Sequence, residues 1–161
     1  MDIFEQLKRP FPVDRVHWRV GATKRDKTAC IPLAYIDARD VMQRLDDVMG
    51  AANWQCRYPL SESGLLVCDI GLLLNLPGRG VDWVWRANGA GDTQVEAEKG
   101  KCSDAFKRAA VLWGIGRYLY ALPNAWVPYD ERTKKMQGIP PLPKWATPDG
   151  YDEILEKRKA A

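Results

Sequence analysis

One histidine, His17, and four cysteines at positions 30, 56, 68 and 102 are the residues from which nucleophilic or metal chemistry would have to be built. His17 stands between Val16 and Trp18 in a strand-like run, and a hydrolytic triad or general base needs partners that no other residue nominates. The cysteines form no C-x-x-C and no paired spacing, so they read as reduced core residues rather than zinc ligands. Asn88-Gly-Ala-Gly-Asp92 opens like a phosphate-binding loop, but Gln94 occupies the place of the third glycine and no G-K-[ST] occurs. It reads as a plain turn. Asp37, Asp40, Asp46 and Asp47 fall at a helix cap and on solvent faces, without converging on a metal. The expectation is a protein that is not an enzyme, with no cofactor and no metal.

Binding chemistry fares better. The net charge is only +3, too small by itself to argue for a polyanionic partner. Its distribution is uneven. Between Lys8 and Lys27 stand seven basic residues (8, 9, 15, 19, 24, 25, 27) against Asp14 and Asp26, a local +5. A second focus is the adjacent pair Lys107 and Arg108, on the charged side of a helix. Single-stranded nucleic acid asks for cations that follow the phosphates and aromatic surface near the bases. Arg19, Lys24, Arg25, Lys27, Lys107 and Arg108 supply the first, and Trp18, Tyr35, Trp83 and Trp85 supply the second. Trp113 lies on an apolar helix face and reads as core.

The elements that must position these residues follow from hydrophobic period and turn chemistry. Met1 to Arg9 reads as a short amphipathic helix ended by Pro10 and Pro12. Arg15–Gly21 and Ala29–Tyr35 read as a hairpin with a mobile basic tip, and Pro32 places the second strand at an edge or a bulge. Asp37 caps an amphipathic helix whose stripe is Val41, Met42, Leu45, Val48 and Met49, with Gly50 as its stop. Trp54–Leu60, Leu65–Leu76 and Val81–Asn88 read as a three-stranded meander, with turns at Ser61–Gly64 and Pro77–Gly80.

The longest helix is expected from Thr93, with Glu96 completing a capping box, to Tyr120. Its buried face would carry Cys102, Ala105, Phe106, Ala109, Leu112, Trp113 and Gly116, with Gly114 and Gly116 loosening its end. Beyond Pro123, prolines at 128, 140, 141, 143 and 148 read as an extended, partly ordered arm, and Tyr151–Lys159 as a short closing helix. The fold class is α+β: hairpin, helix, three-stranded antiparallel meander and long helix, a ββαβββα core with a short N-terminal helix. The expected division is a core domain over residues 1–123 and a proline-rich arm over 124–161.

Tyr35-Ile-Asp-Ala-Arg-Asp-Val-Met42, Gly50-Ala-Ala-Asn-Trp54 and Ser103-Asp-Ala-Phe-Lys-Arg-Ala-Ala-Val-Leu-Trp-Gly114 resemble the Rad-fifty-two family of single-strand annealing proteins. Trp85-Arg-Ala-Asn-Gly-Ala-Gly-Asp92 and Trp113-Gly-Ile-Gly-Arg-Tyr-Leu-Tyr120 are closest to its short bacteriophage and bacterial members. The resemblance runs from about Val16 to Leu122, in the element order derived above. It implies a ring-forming homo-oligomer that holds single-stranded DNA in an exterior groove with its bases exposed for pairing. By position it implies that Arg19, Lys107 and Arg108 are the inner-groove cations and that Leu33 and Tyr35 lie beside the DNA. Val111 stands where eukaryotic members carry a further arginine, and the hairpin loop, residues 22–27, is longer and more basic than theirs.

The expected function is therefore ATP-independent annealing of complementary strands in recombination and double-strand-break repair. The alternatives are a single-strand nucleic-acid binding module without annealing activity and a metal-dependent phosphate-processing enzyme. A single-strand binding protein is a candidate partner. With no apolar run of ~20 residues and no secretory leader at the start, membrane association is not expected and the cytoplasm is.

Overall fold

The computed structural model describes residues 2–59, 66–89 and 98–160. The expected turn at Ser61–Gly64 and the capping box of Thr93 and Glu96 lie outside the described residues. Among the described residues the chain is α+β, with four α-helices and two antiparallel sheets. It divides into two compact units, Met1–Lys8 with Asp37–Arg117, and Arg9–Ile36 with Tyr118–Ala161.

In the first unit, α1 (Ile3–Lys8) packs on α2 (Ala38–Met49), and β3 (Trp54–Arg57), β4 (Val67–Leu76) and β5 (Gly80–Gly89) form a meander in the order 3-4-5. α2 starts at Asp37, whose carbonyl accepts from the Asp40 and Val41 amides while its side chain makes no capping bond. Val41, Leu45 and Met49 are buried as the stripe requires, and Met42 is exposed. β4 is the central strand and its sequence is nearly all apolar. Cys68, Ile70, Leu72 and Leu74 alternate onto one buried face, which α3 (Glu98–Leu112) covers with Ala105, Phe106, Ala109 and Ala110.

The next residue, Trp113, is the largest fully buried side chain, and its indole N–H donates to the Ile70 carbonyl at 3.1 Å. Two expectations for this helix are corrected. α3 stops at Leu112 rather than Tyr120, because Gly114 and Gly116 take φ of 96° and 70°, a left-handed backbone that no helix continues through. Cys102 is exposed, and Ala110 takes the buried place.

The other face of the meander is built around a close approach. Gly71 faces Trp85 in register, and a methyl at Gly71 would stand 2.9 Å from the indole, so the ring lies flat over the glycine. The Arg57 guanidinium stacks 4.1 Å from the Trp85 ring and is tied to Asp69 at 2.8 Å. Trp83 packs beside it, with ring centroids 6.1 Å apart.

In the second unit, β1 (His17–Thr23) and β2 (Ala29–Tyr35) form the hairpin, extended by β6 (Val127–Asp130) and β7 (Lys135–Met136) into a four-stranded sheet of order 1-2-6-7. Pro32 sits where both ladders give way: the β1 register slips between Val20 and Thr23, and β6 pairs only with Ala29 and Cys30. α4 (Pro148–Ala160) closes the unit, burying Leu155, and Arg9 grips Asp152 bidentately at 2.6–3.2 Å. That pair holds the Asp152 carboxyl below the ordinary carboxylate range.

α4 begins with Thr147, whose hydroxyl accepts from the Gly150 amide, and with Pro148 in the first turn. A methyl at Gly150 would come within 1.8 Å of the Lys144 carbonyl oxygen. Alanine normally gains about 1 kcal/mol over glycine inside a helix. Here the obstacle is backbone that cannot rotate aside, a cost of ~3 kcal/mol. Gly150→Ala should therefore be destabilising by roughly 2 kcal/mol, read as a lowered urea midpoint with an unchanged slope. A midpoint equal to or above that of the parent protein would contradict it.

Candidate nucleic-acid interface

The cations singled out from the sequence fall in two sets, one in each unit. On α3, Lys107 and Arg108 are consecutive. Arg108 is exposed and its guanidinium meets Asp104, one turn earlier, at 3.0 Å, while Lys107 is half-buried. The helix beneath them is fixed at its C-terminal end. Arg117 donates to the Val111 and Leu112 carbonyls at 2.7–2.9 Å, and Arg86 donates to Leu112 while stacking 4.3 Å from the Trp113 ring. Unpaired carbonyls at a helix end attract cations, so these two arginines are engaged in holding the helix.

In the second unit Arg19 lies on β1 directly opposite Leu33 of β2, and both are exposed. Tyr35 pairs with His17 two residues along, with ring centroids 5.5 Å apart. Directly opposed residues share a face. Arg19, Leu33, Tyr35 and His17 therefore form one surface, cationic at one end and aromatic at the other.

The hairpin tip carries Lys24, Arg25 and Lys27, all exposed. Lys24 is 5.5 Å above the Trp126 ring, Lys27 donates to the Thr23 hydroxyl at 3.1 Å, and Asp26 accepts from the Thr28 amide and hydroxyl. The tip therefore carries its own hydrogen-bonded structure, with Lys27 at φ 56°.

Two further cations were not singled out. Lys134 and Lys135, at the β6–β7 turn, border an open cleft of about 310 Å³ together with Trp18, Arg19, Val20 and Met136. The sequence shows them only as part of a charged run, because their meeting with β1 depends on how the sheet curls.

Titration adds a constraint. The shifts resolved among the described residues all move groups away from neutral pH: burial pushes the Cys68 thiol up to about 12 and the Tyr58 hydroxyl up as well. Hydrogen bonds hold Asp26 and Asp130 below the ordinary carboxylate range, and Lys144 does the same for Glu153. None of these is poised for proton transfer at neutral pH.

An α+β chain with a basic hairpin and a cation pair on a rigid helix belongs, by sequence, to the Rad52/22 family of double-strand break repair proteins, which it matches over residues 1–137. It is also similar to the single-stranded DNA-binding protein DdrA of Deinococcus deserti, 36% identical over 148 residues, 92% of this chain and 71% of that protein. The DdrA of Deinococcus radiodurans is likewise 36% identical over 148 residues, 92% of this chain and 69% of that one. The family match spans both cation sets. Among the described residues no helix is long and apolar enough to cross a membrane.

Proposed function

We propose that this protein binds single-stranded DNA and anneals complementary strands in DNA repair, without nucleotide hydrolysis, as a ring of identical subunits in the cytoplasm. The observation that carries the reading is the family match over residues 1–137, which takes in the hairpin bearing Arg19 and the helix bearing Lys107 and Arg108. The DdrA relatives are named for single-stranded DNA binding, which supports the substrate.

The mechanism is positional. Arg19, Lys107 and Arg108 neutralise phosphates and Leu33 and Tyr35 flank the sugar-base side of the strand. Lys24, Arg25 and Lys27 draw in the complementary strand. Contacts to phosphates fix register without reading sequence, so the bases stay free to pair. No step moves a proton or breaks a bond. A single-strand binding protein that delivers the substrate is a candidate partner.

The test combines a fluorescence annealing assay on complementary oligonucleotides, without ATP, with mass photometry. Accelerated annealing and species at multiples of 18.2 kDa are expected. Binding without acceleration would reduce the protein to a binding module, and a monomer alone at micromolar concentration would remove the ring.

A further inference from the structure

Strands β1 and β7 are the first and last of the four-stranded order, yet both border one cleft, so the sheet of the second unit is curled until its two edges face each other. The lining residues are Trp18, Arg19 and Val20 from one edge and Lys134, Lys135 and Met136 from the other. Three are cations, none is acidic, and among the described residues no ion pair engages Arg19, Lys134 or Lys135. Of the two carboxylates beside this turn, Asp130 accepts from the amides of Arg132 and Thr133 at 2.9 and 3.2 Å, and Glu131 is exposed. Trp18 is half-buried, has no hydrogen-bond partner among the described residues and borders the cleft.

We infer that this cleft seats one nucleotide of the bound single strand, its phosphate between Lys134, Lys135 and Arg19 and its base against Trp18, while the bases along the surface of Arg19, Leu33 and Tyr35 stay free to pair. This rests on the proposed single-strand binding and extends it to residues outside the hairpin and α3. The volume of about 310 Å³ lies at the lower limit of ligand clefts, which suits one nucleotide rather than a longer segment. Cations flanking a fixed aromatic surface are what a single strand requires, phosphate on one side and ring on the other. Arg19 borders both this cleft and the surface shared with Leu33 and Tyr35, so a strand lying on that surface reaches the cleft at the edge of β1. A backbone turn presents the lysines: Lys134 adopts φ 54°, which asparagine tolerates better than alanine.

The experiment measures binding of an oligo-dT and of an abasic oligomer of equal length across a salt series. Lys134→Asn with Lys135→Gln should lower the salt slope by ~1.4, two phosphate contacts at ~0.7 each. Arg132→Gln, which removes one positive charge from the same turn but outside the cleft, should leave the slope unchanged. The parent protein should prefer oligo-dT over the abasic oligomer by about fivefold or more, and Trp18→Leu should abolish that preference. An unchanged slope in the double variant, or an equal loss in Arg132→Gln, overturns the inference while parental binding keeps the proposed function intact. If the parent protein fails to bind oligo-dT at all, the proposed function falls and takes the cleft assignment with it.

Discussion

Trp113→Ala is expected to lower the free energy of unfolding by ~3–5 kcal/mol, the range for emptying a buried aromatic site. Trp113 is 2% exposed, among the residues that join α3 to β4. Its loss would leave a cavity, remove the hydrogen bond from its N–H to the Ile70 carbonyl, and remove the ring on which Arg86 stacks. Domains are stable by only about 5–15 kcal/mol, so this variant should sit close to its unfolding transition at 37 °C. Trp113→Phe keeps most of the volume and gives up the hydrogen bond, and should cost about 1–3 kcal/mol. Urea denaturation followed by circular dichroism measures both. A loss under 1 kcal/mol for the alanine variant would mean that α3 is anchored elsewhere. The consequence reaches function, because α3 is what holds Lys107 and Arg108 in place.

The hairpin, α2 and the meander were legible because each repeats its local signal: alternation in the strands, a 3.6-residue stripe in the helix, and Gly or Pro at the turns. Trp54, Ala29 and Tyr35 mark strand ends both in the sequence reading and in the fold. The end of α3 misled because Trp113, Ile115 and Leu119 prolong the apolar pattern through what becomes a glycine turn and a 3-10 turn over Arg117–Ala121. Periodicity alone cannot separate a helix from the buried turn that follows it, and only the two glycines carried the warning. β6 and β7 are four and two residues long, and the first contains Pro128, so no period could announce them. Their pairing with the hairpin is a non-local event.

The candidate site divides in the same way. The identity of Lys107 and Arg108 and the i,i+4 spacing of Asp104 to Arg108 are local and readable. The opposition of Arg19 and Leu33 follows from hairpin register, which the Val20 to Thr23 slip shifts only beyond them. Nothing local places Lys134 beside Trp18.

Removing the rigidly held cations should have the largest effect on single-strand binding. Arg19→Ala, Lys107→Ala and Arg108→Ala are each expected to weaken it by roughly 1–2 kcal/mol, about 5- to 30-fold, the range for charge-assisted hydrogen bonds. Combined, they should approach ~3–6 kcal/mol if the contacts are independent. Arg108 shares its guanidinium with Asp104, an acid that repels phosphate as well as occupying the donor. Asp104→Asn should therefore tighten binding by a few-fold, roughly 0.5–1 kcal/mol, since exposed ion pairs contribute little and are readily exchanged.

Lys24→Ala, Arg25→Ala and Lys27→Ala should each cost single-strand affinity less. Their side chains ride on a hairpin tip, where Lys24 and Lys27 would have to leave Trp126 and the Thr23 hydroxyl. They should slow annealing more than binding, because the second strand must be drawn to a surface already carrying one polyanion. Binding by fluorescence anisotropy and annealing by energy transfer, measured separately on each variant after its size has been checked, decide the matter. Silent helix variants alongside hairpin-tip variants that abolish binding would move the groove away from α3, and a tip that leaves annealing untouched would deny it a role in capturing the second strand.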